Sequence, residues 1–176
     1  AAFATSCIPT GSMGPTLEVG DRLAVTKWDY GYSRHSLPCG LGHYLPESDT
    51  RLFGALPERG DIAVFDHPLN PGTDMIKRVI GLPGDTLELR QGRLVINGNV
   101  MPRTMIEDYA YADQQGREIQ VRRFSEDLVS MDHTIIERTD RGTADDTPLY
   151  RVPAGPVVLM GDNRGNSPAR RLPSVP

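Results

Sequence analysis

The sequence predicts a mostly β protein of antiparallel sheets, and three observations carry that prediction. Apolar-rich segments of four to six residues recur between clusters of Gly, Pro, Asn and Asp, the way strands alternate with turns. Almost none of them is long enough, or spaced correctly, for the 3.6-residue period of a helix. The chain also holds 18 glycines and 15 prolines among 176 residues, above their average share of about 12%. Such a chain turns often.

In chain order the candidate strands are residues 22–26, 61–65, 75–80, 86–90, 94–97, 119–124, 134–138 and 157–160. The first follows Gly20-Asp21 and the second follows Arg59-Gly60, both turn-forming pairs. Residues 75–80 are bounded by Gly81 and run Met75-Ile76-Lys77-Arg78-Val79-Ile80. Residues 86–90 alternate, Gln91-Gly92 supplies a turn with a residue free to take positive φ, and the chain returns through 93–97 as a hairpin. Residues 119–124 and 134–138 lie inside a more polar region from about 101 to 147, where the stretch around Asp113 and residues 139–147 read as exposed loops. Residues 157–160, Val-Val-Leu-Met, form an apolar strand running into a turn rich in hydrogen-bonding side chains. The simplest organisation is a β core built from residues 1–85 and 156–176, with a polar, β-rich subdomain inserted over 86–155.

Nineteen basic against 23 acidic residues leave a net charge of −4, which argues against nucleic acid as a partner because phosphate-backbone binding needs a dense basic face. No stretch approaches the roughly 18 to 20 apolar residues of a membrane helix. The chain begins at Ala1 instead of a methionine, so an anchor attached upstream is compatible with it. Cys7 and Cys39 can pair in an oxidising compartment, but two cysteines alone do not make a disulfide scaffold. His35-x-x-x-Cys39-x-x-x-His43 is a weak metal candidate, because Pro38, Gly40 and Gly42 oppose the helix that would bring the three together.

The first segment able to carry chemistry is Ile8-Pro9-Thr10-Gly11-Ser12-Met13-Gly14-Pro15-Thr16-Leu17. Its glycines leave Ser12 accessible and its prolines restrict the loop, which suits a nucleophile as well as it suits a solvated turn. None of the four histidines, His35, His43, His67 and His133, has an orienting acid at a recognisable spacing. Lys77 is the stronger activator. On a strand Met75, Lys77 and Val79 share one face and Ile76, Arg78 and Ile80 the other. Burial lowers a lysine pKa, whereas arginine stays protonated, so Lys77 is the better inward cation; with Arg78 on the opposite face, Arg78→Lys is expected to keep the pH profile of activity. The alternative is a lysine snorkelling from an edge strand. The third segment, Gly161-Asp162-Asn163-Arg164-Gly165-Asn166-Ser167, reads either as an Asx-bonded turn or as a loop that orients a neutral lysine.

Together with Arg59-Gly60-Asp61-Ile62-Ala63-Val64-Phe65 and the continuation of the lysine strand through Gly81-Leu82-Pro83-Gly84-Asp85, these segments resemble type I signal peptidase, the bacterial leader peptidase family of Ser/Lys proteases. The resemblance implies a mostly β catalytic core and no metal or organic cofactor. By position it makes Ser12 the nucleophile, Lys77 the general base, Thr10 a hydroxyl that joins the Ser12 N–H at the oxyanion, and Ser167 the hydroxyl that orients the lysine. Ile8, Met75 and Ile76 fall among the residues lining the substrate pockets. It further implies signal peptides of exported preproteins as substrates, cut after small residues at −1 and −3. The enzyme would be held at the bacterial cytoplasmic membrane by an anchor absent from this chain, with the catalytic domain on the outer, periplasmic or extracellular, side. Trp28, Tyr30 and Tyr32 would rest at the lipid interface or in an aromatic cluster. Where the family usually carries an acid, an acid and a hydroxyl, this chain has Gly165, Ala169 and Arg170. Two rivals share the motifs: another Ser/Lys protease acting on itself or one partner, and a β module that has lost activity.

Overall fold

The computed structural model describes residues 3–8, 10–26, 57–67, 70–112, 115–129, 131–138, 145–165 and 174–175. Trp28, Tyr30, Tyr32, His35, Cys39, His43, Asp113, Ser167, Ala169 and Arg170 lie outside the described residues. In chain order the elements are β1 (Phe3–Cys7), a 3₁₀ turn (Gly11–Met13), β2 (Arg22–Thr26), β3 (Ile62–His67), β4 (Asn70–Gly81), β5 (Thr86–Arg90), β6 (Arg93–Ile96) and β7 (Asn99–Val100). There follow β8 (Arg103–Ala112), β9 (Glu118–Asp127), β10 (Asp132–Arg138), β11 (Tyr150–Arg151), β12 (Val157–Met160) and β13 (Ser174–Val175). The mostly β fold expected from the sequence is the fold observed, and among the described residues the named strands pair antiparallel, with one isolated parallel bridge between Ile136 and Asn163.

Among the described residues the strands form four sheets, ordered β1-β2, β13-β12-β4-β3, β11-β5-β6-β7 and β10-β9-β8. β4 lies inside its sheet, with Ala63 of β3 opposite Lys77 and Leu159 of β12 opposite Val79. Its residues Ile76, Lys77, Arg78, Val79 and Ile80 are all buried. On one face Val79 packs with Val157 and Leu159; on the other Ile80 packs with Leu87, Val158 and Met160. Each fully buried aliphatic side chain stabilises the fold by about 1.5–3 kcal/mol. The Ile80 cluster also takes in Leu94, Leu128 and Val152, so it joins side chains from 86–155 to side chains of the flanking segments.

The hairpin of β5 and β6 closes through Gln91 and Gly92 at φ 52° and 74°, the two positive angles a tight two-residue hairpin turn requires. The same device recurs at Asn97-Gly98 and leads into β7. β8 is exposed along most of its length and is held by pairing with β9, where Arg123 bonds Glu107 at 2.7 Å and lies 4.3 Å above the Tyr109 ring.

Candidate active site

The loop after β1 is pinned at both ends before it presents Ser12. Ile8 is 2% exposed; its N–H donates to Asp21 O at 3.1 Å, and its own O accepts from Gly20 N–H at 3.1 Å. Within the 3₁₀ turn Met13 is buried against Ile8 and Ile76, with Leu17, Leu23 and Val64 packed around them. Gly14 N–H closes the turn onto Gly11 O at 3.2 Å. Ser12, one residue before the buried Met13, stays partly accessible. The loop is thus held by backbone hydrogen bonds and by the packing of Ile8 and Met13.

Lys77 Nζ stands 2.5 Å from Ser12 Oγ and 3.1 Å from Ile76 O. β4 is interior and Lys77 is 4% exposed, so the lysine does not snorkel from an edge. Burial pushes its pKa below the usual lysine value, while the Asp162 carboxylate pulls in the opposite direction with the smaller effect. In the neutral form the Ser12 hydroxyl donates to the Nζ lone pair. Thr10 is exposed, and its hydroxyl lies 3.3 Å from Ser12 Oγ. Ile8 and Ile76 meet in the Met13 cluster, whereas Met75 is half-buried and outside it. Ser167 falls outside the described residues.

Arg78 behaves differently from the sequence expectation. It is buried as deeply as Lys77, at 3%, because it donates to both oxygens of Asp162 and, at 2.7 Å, to Gly60 O. Asp162 also accepts from the Thr16 hydroxyl at 2.5 Å. His133, which has no orienting acid at a recognisable spacing in the sequence, is buried on β10, with Nε2 3.5 Å from Glu126 Oε2 and 3.9 Å from Asp162 Oδ1. Glu126 accepts from Arg164 at 2.6 Å. Asn163 donates through its side chain to Gly11 O at 3.1 Å and through its backbone to Ser12 O at 3.1 Å. Sequence reasoning found the polar turn at 162–164 but not these partners, which lie on β4, β9, β10 and the serine loop. The available signal was an acid, Asp162, two residues beyond the end of an apolar strand.

The signal peptidase, peptidase S26 family model matches residues 1–172. The chain belongs to that family. It is 36% identical over 174 residues to Signal peptidase I of Pseudomonas aeruginosa and likewise to that of Pseudomonas fluorescens, covering 96% of this chain and 56% of each relative. With Signal peptidase I of Rickettsia akari it shares 34% over 175 residues, 94% of this chain and 62% of the relative. The chain therefore spans little more than half the length of these Pseudomonas relatives. No helix among the described residues is long and apolar enough to cross a membrane. Among the same residues no group of three or more His, Cys, Asp or Glu side chains is arranged to hold a metal ion.

Gly165, where the resemblance leads one to expect an acid, sits against Arg138. A Cβ at Gly165 would fall on the side chain of Arg138 and within 3.0 Å of its backbone nitrogen. The glycine leaves room for the Arg138 stem.

Proposed function

We propose that the protein is a serine endopeptidase that removes signal peptides from exported preproteins, with Ser12 as nucleophile and Lys77 as general base. The observation that carries this reading is the 2.5 Å approach of a buried lysine amine to the hydroxyl of an anchored, accessible serine. Neutral Lys77 takes the Ser12 proton as Oγ attacks the scissile carbonyl carbon, and the charge formed on the carbonyl oxygen is met by the Ser12 N–H and the Thr10 hydroxyl. When the C–N bond breaks, the Lys77 ammonium returns its proton to the leaving amine of the mature protein. Water, deprotonated by Lys77, then attacks the acyl-enzyme, and Ser12 Oγ leaves with that proton while the signal peptide departs as a carboxylic acid that ionises by releasing its own proton to solvent.

Ile8, Met75 and Ile76 line the pockets that select small residues at −1 and −3, and Ser167 steadies the lysine. The substrates are membrane-bound precursors, so the catalytic domain works at the outer face of the cytoplasmic membrane, held there by an anchor outside this chain. No cofactor takes part.

The test is cleavage of a panel of unrelated precursor peptides carrying Ala-x-Ala, followed by mass spectrometry. Cuts after the last alanine, abolished by leucine at −1, are expected across the panel. Cleavage of a single dedicated partner or of the chain itself would support a different Ser/Lys protease. Failure of both cleavage and Ser12 acylation would overturn the enzyme reading.

A further inference from the structure

One residue holds both carbonyls that flank Ser12. Asn163, 1% exposed, donates its backbone N–H to Ser12 O and its side-chain amide to Gly11 O, each at 3.1 Å. Gly11 O can only accept, so the atom facing it is the amide nitrogen, and that nitrogen also donates to the hydroxyl of Tyr111 at 3.3 Å. Tyr111 belongs to β8, in the polar middle of the chain. Asn163 is itself fixed to the scaffold, because its neighbours Asp162 and Arg164 exchange backbone hydrogen bonds with Ile136 of β10.

A trans peptide is planar, and its N–H points opposite to its C=O. Gripping Gly11 O therefore aims the Ser12 N–H away from Asn163. Gly14 N–H also bonds Gly11 O, but it belongs to the same loop and cannot orient that loop against the sheets.

We propose that Asn163, steadied by Tyr111, is a positioning residue that sets the direction of the Ser12 N–H and so the strength of its hydrogen bond to the oxyanion. The inference rests on the reading of Ser12 as nucleophile. It gives β8 a part in the chemistry although none of its side chains contacts Ser12 or Lys77 among the interactions described above.

The experiment compares Asn163→Ala and Tyr111→Phe with the parent chain on one Ala-x-Ala peptide, measuring kcat, KM, the pH–rate profile and the affinity of a matching peptide boronic acid, whose adduct on Ser12 Oγ imitates the tetrahedral intermediate. Asn163→Ala should lower kcat about a hundredfold, the scale of a misaligned reacting group. Tyr111→Phe, which loses one neutral hydrogen bond, should lower it by about two- to tenfold. In both, KM and the rising limb of the pH profile should stay put while boronate affinity falls in step with kcat/KM. A raised KM with unchanged kcat, or retained boronate affinity, would overturn the proposal. So would full activity of Asn163→Ala beside an active parent, whereas an inactive parent would instead sink the peptidase reading. If Asn163→Ala unfolds, Tyr111→Phe carries the same comparison.

Discussion

Arg78 holds Asp162 with two parallel hydrogen bonds, Nε to Oδ1 at 2.9 Å and a terminal nitrogen to Oδ2 at 2.7 Å, with both side chains almost wholly out of water. Breaking one side of such a pair leaves an uncompensated buried charge, so Arg78→Met should destabilise the fold by about 3–5 kcal/mol. Arg78→Lys should lose part of that, since an ammonium cannot reproduce the fork. Asp162→Leu combined with Arg78→Met should recover stability relative to Arg78→Met alone. Urea unfolding checks all three, and an Arg78→Met midpoint equal to the parent's would refute the pairing argument.

Activity should rise with pH through the lowered pKa of Lys77 and already be high in the mildly alkaline range. A lysine with a depressed folded pKa binds fewer protons folded than unfolded between its two pKa values. It therefore costs stability at neutral pH, and the cost fades as pH approaches the unfolded value of about 10.4. Lys77→Met should abolish cleavage and melt higher than the parent at pH 7, with the difference shrinking by pH 10. Lys77→Arg should be inactive at every pH. A rising limb near the ordinary lysine pKa would count against a buried neutral base.

Thr10 offers a hydroxyl that can leave its 3.3 Å contact with Ser12 Oγ to meet the oxyanion. Thr10→Val keeps the shape and removes the donor. The expected result is a kcat lower by about a hundred- to a thousandfold at similar KM. An unchanged kcat in steady-state assays would mean that the backbone donor suffices.

His133 is held below its usual pKa by burial, against the pull of Asp162 and Glu126. Folded, it takes up fewer protons than the unfolded chain as pH falls below about 6.5, so the stability present above that pH drains away towards the folded pKa. His133→Gln should flatten the loss of unfolding free energy between pH 7.5 and pH 5, measured by denaturant titration. An equally steep acid loss in the variant would exonerate the imidazole.

The parts of the fold legible in the sequence were those whose burial is written locally. Residues 22–26, 86–90 and 157–160 form strands with the expected bounds, and turn residues precede each of them. β8 was invisible: polar residues occupy both of its faces, and its order comes from β9 beside it. The site divides along the same line. Strand parity brought Lys77 forward as a candidate base, yet the same parity misjudged Arg78, since a strand interior to a sheet buries both faces and the arginine's partner lies 84 residues away. Asn163 and Gly11 are 152 residues apart, and no local pattern announces such a contact.

Gly165 and Arg138 also constrain the order in which this sequence could change. With arginine at 138 the space above residue 165 is taken, so an acid cannot enter at that position by a single substitution without displacing the arginine stem and crowding the backbone of β10. A variant library that randomises position 165 while arginine stays at 138 would sample mostly dead ends. A loop with a side chain at 165, grafted onto this scaffold, would have to bring a smaller residue 138 with it.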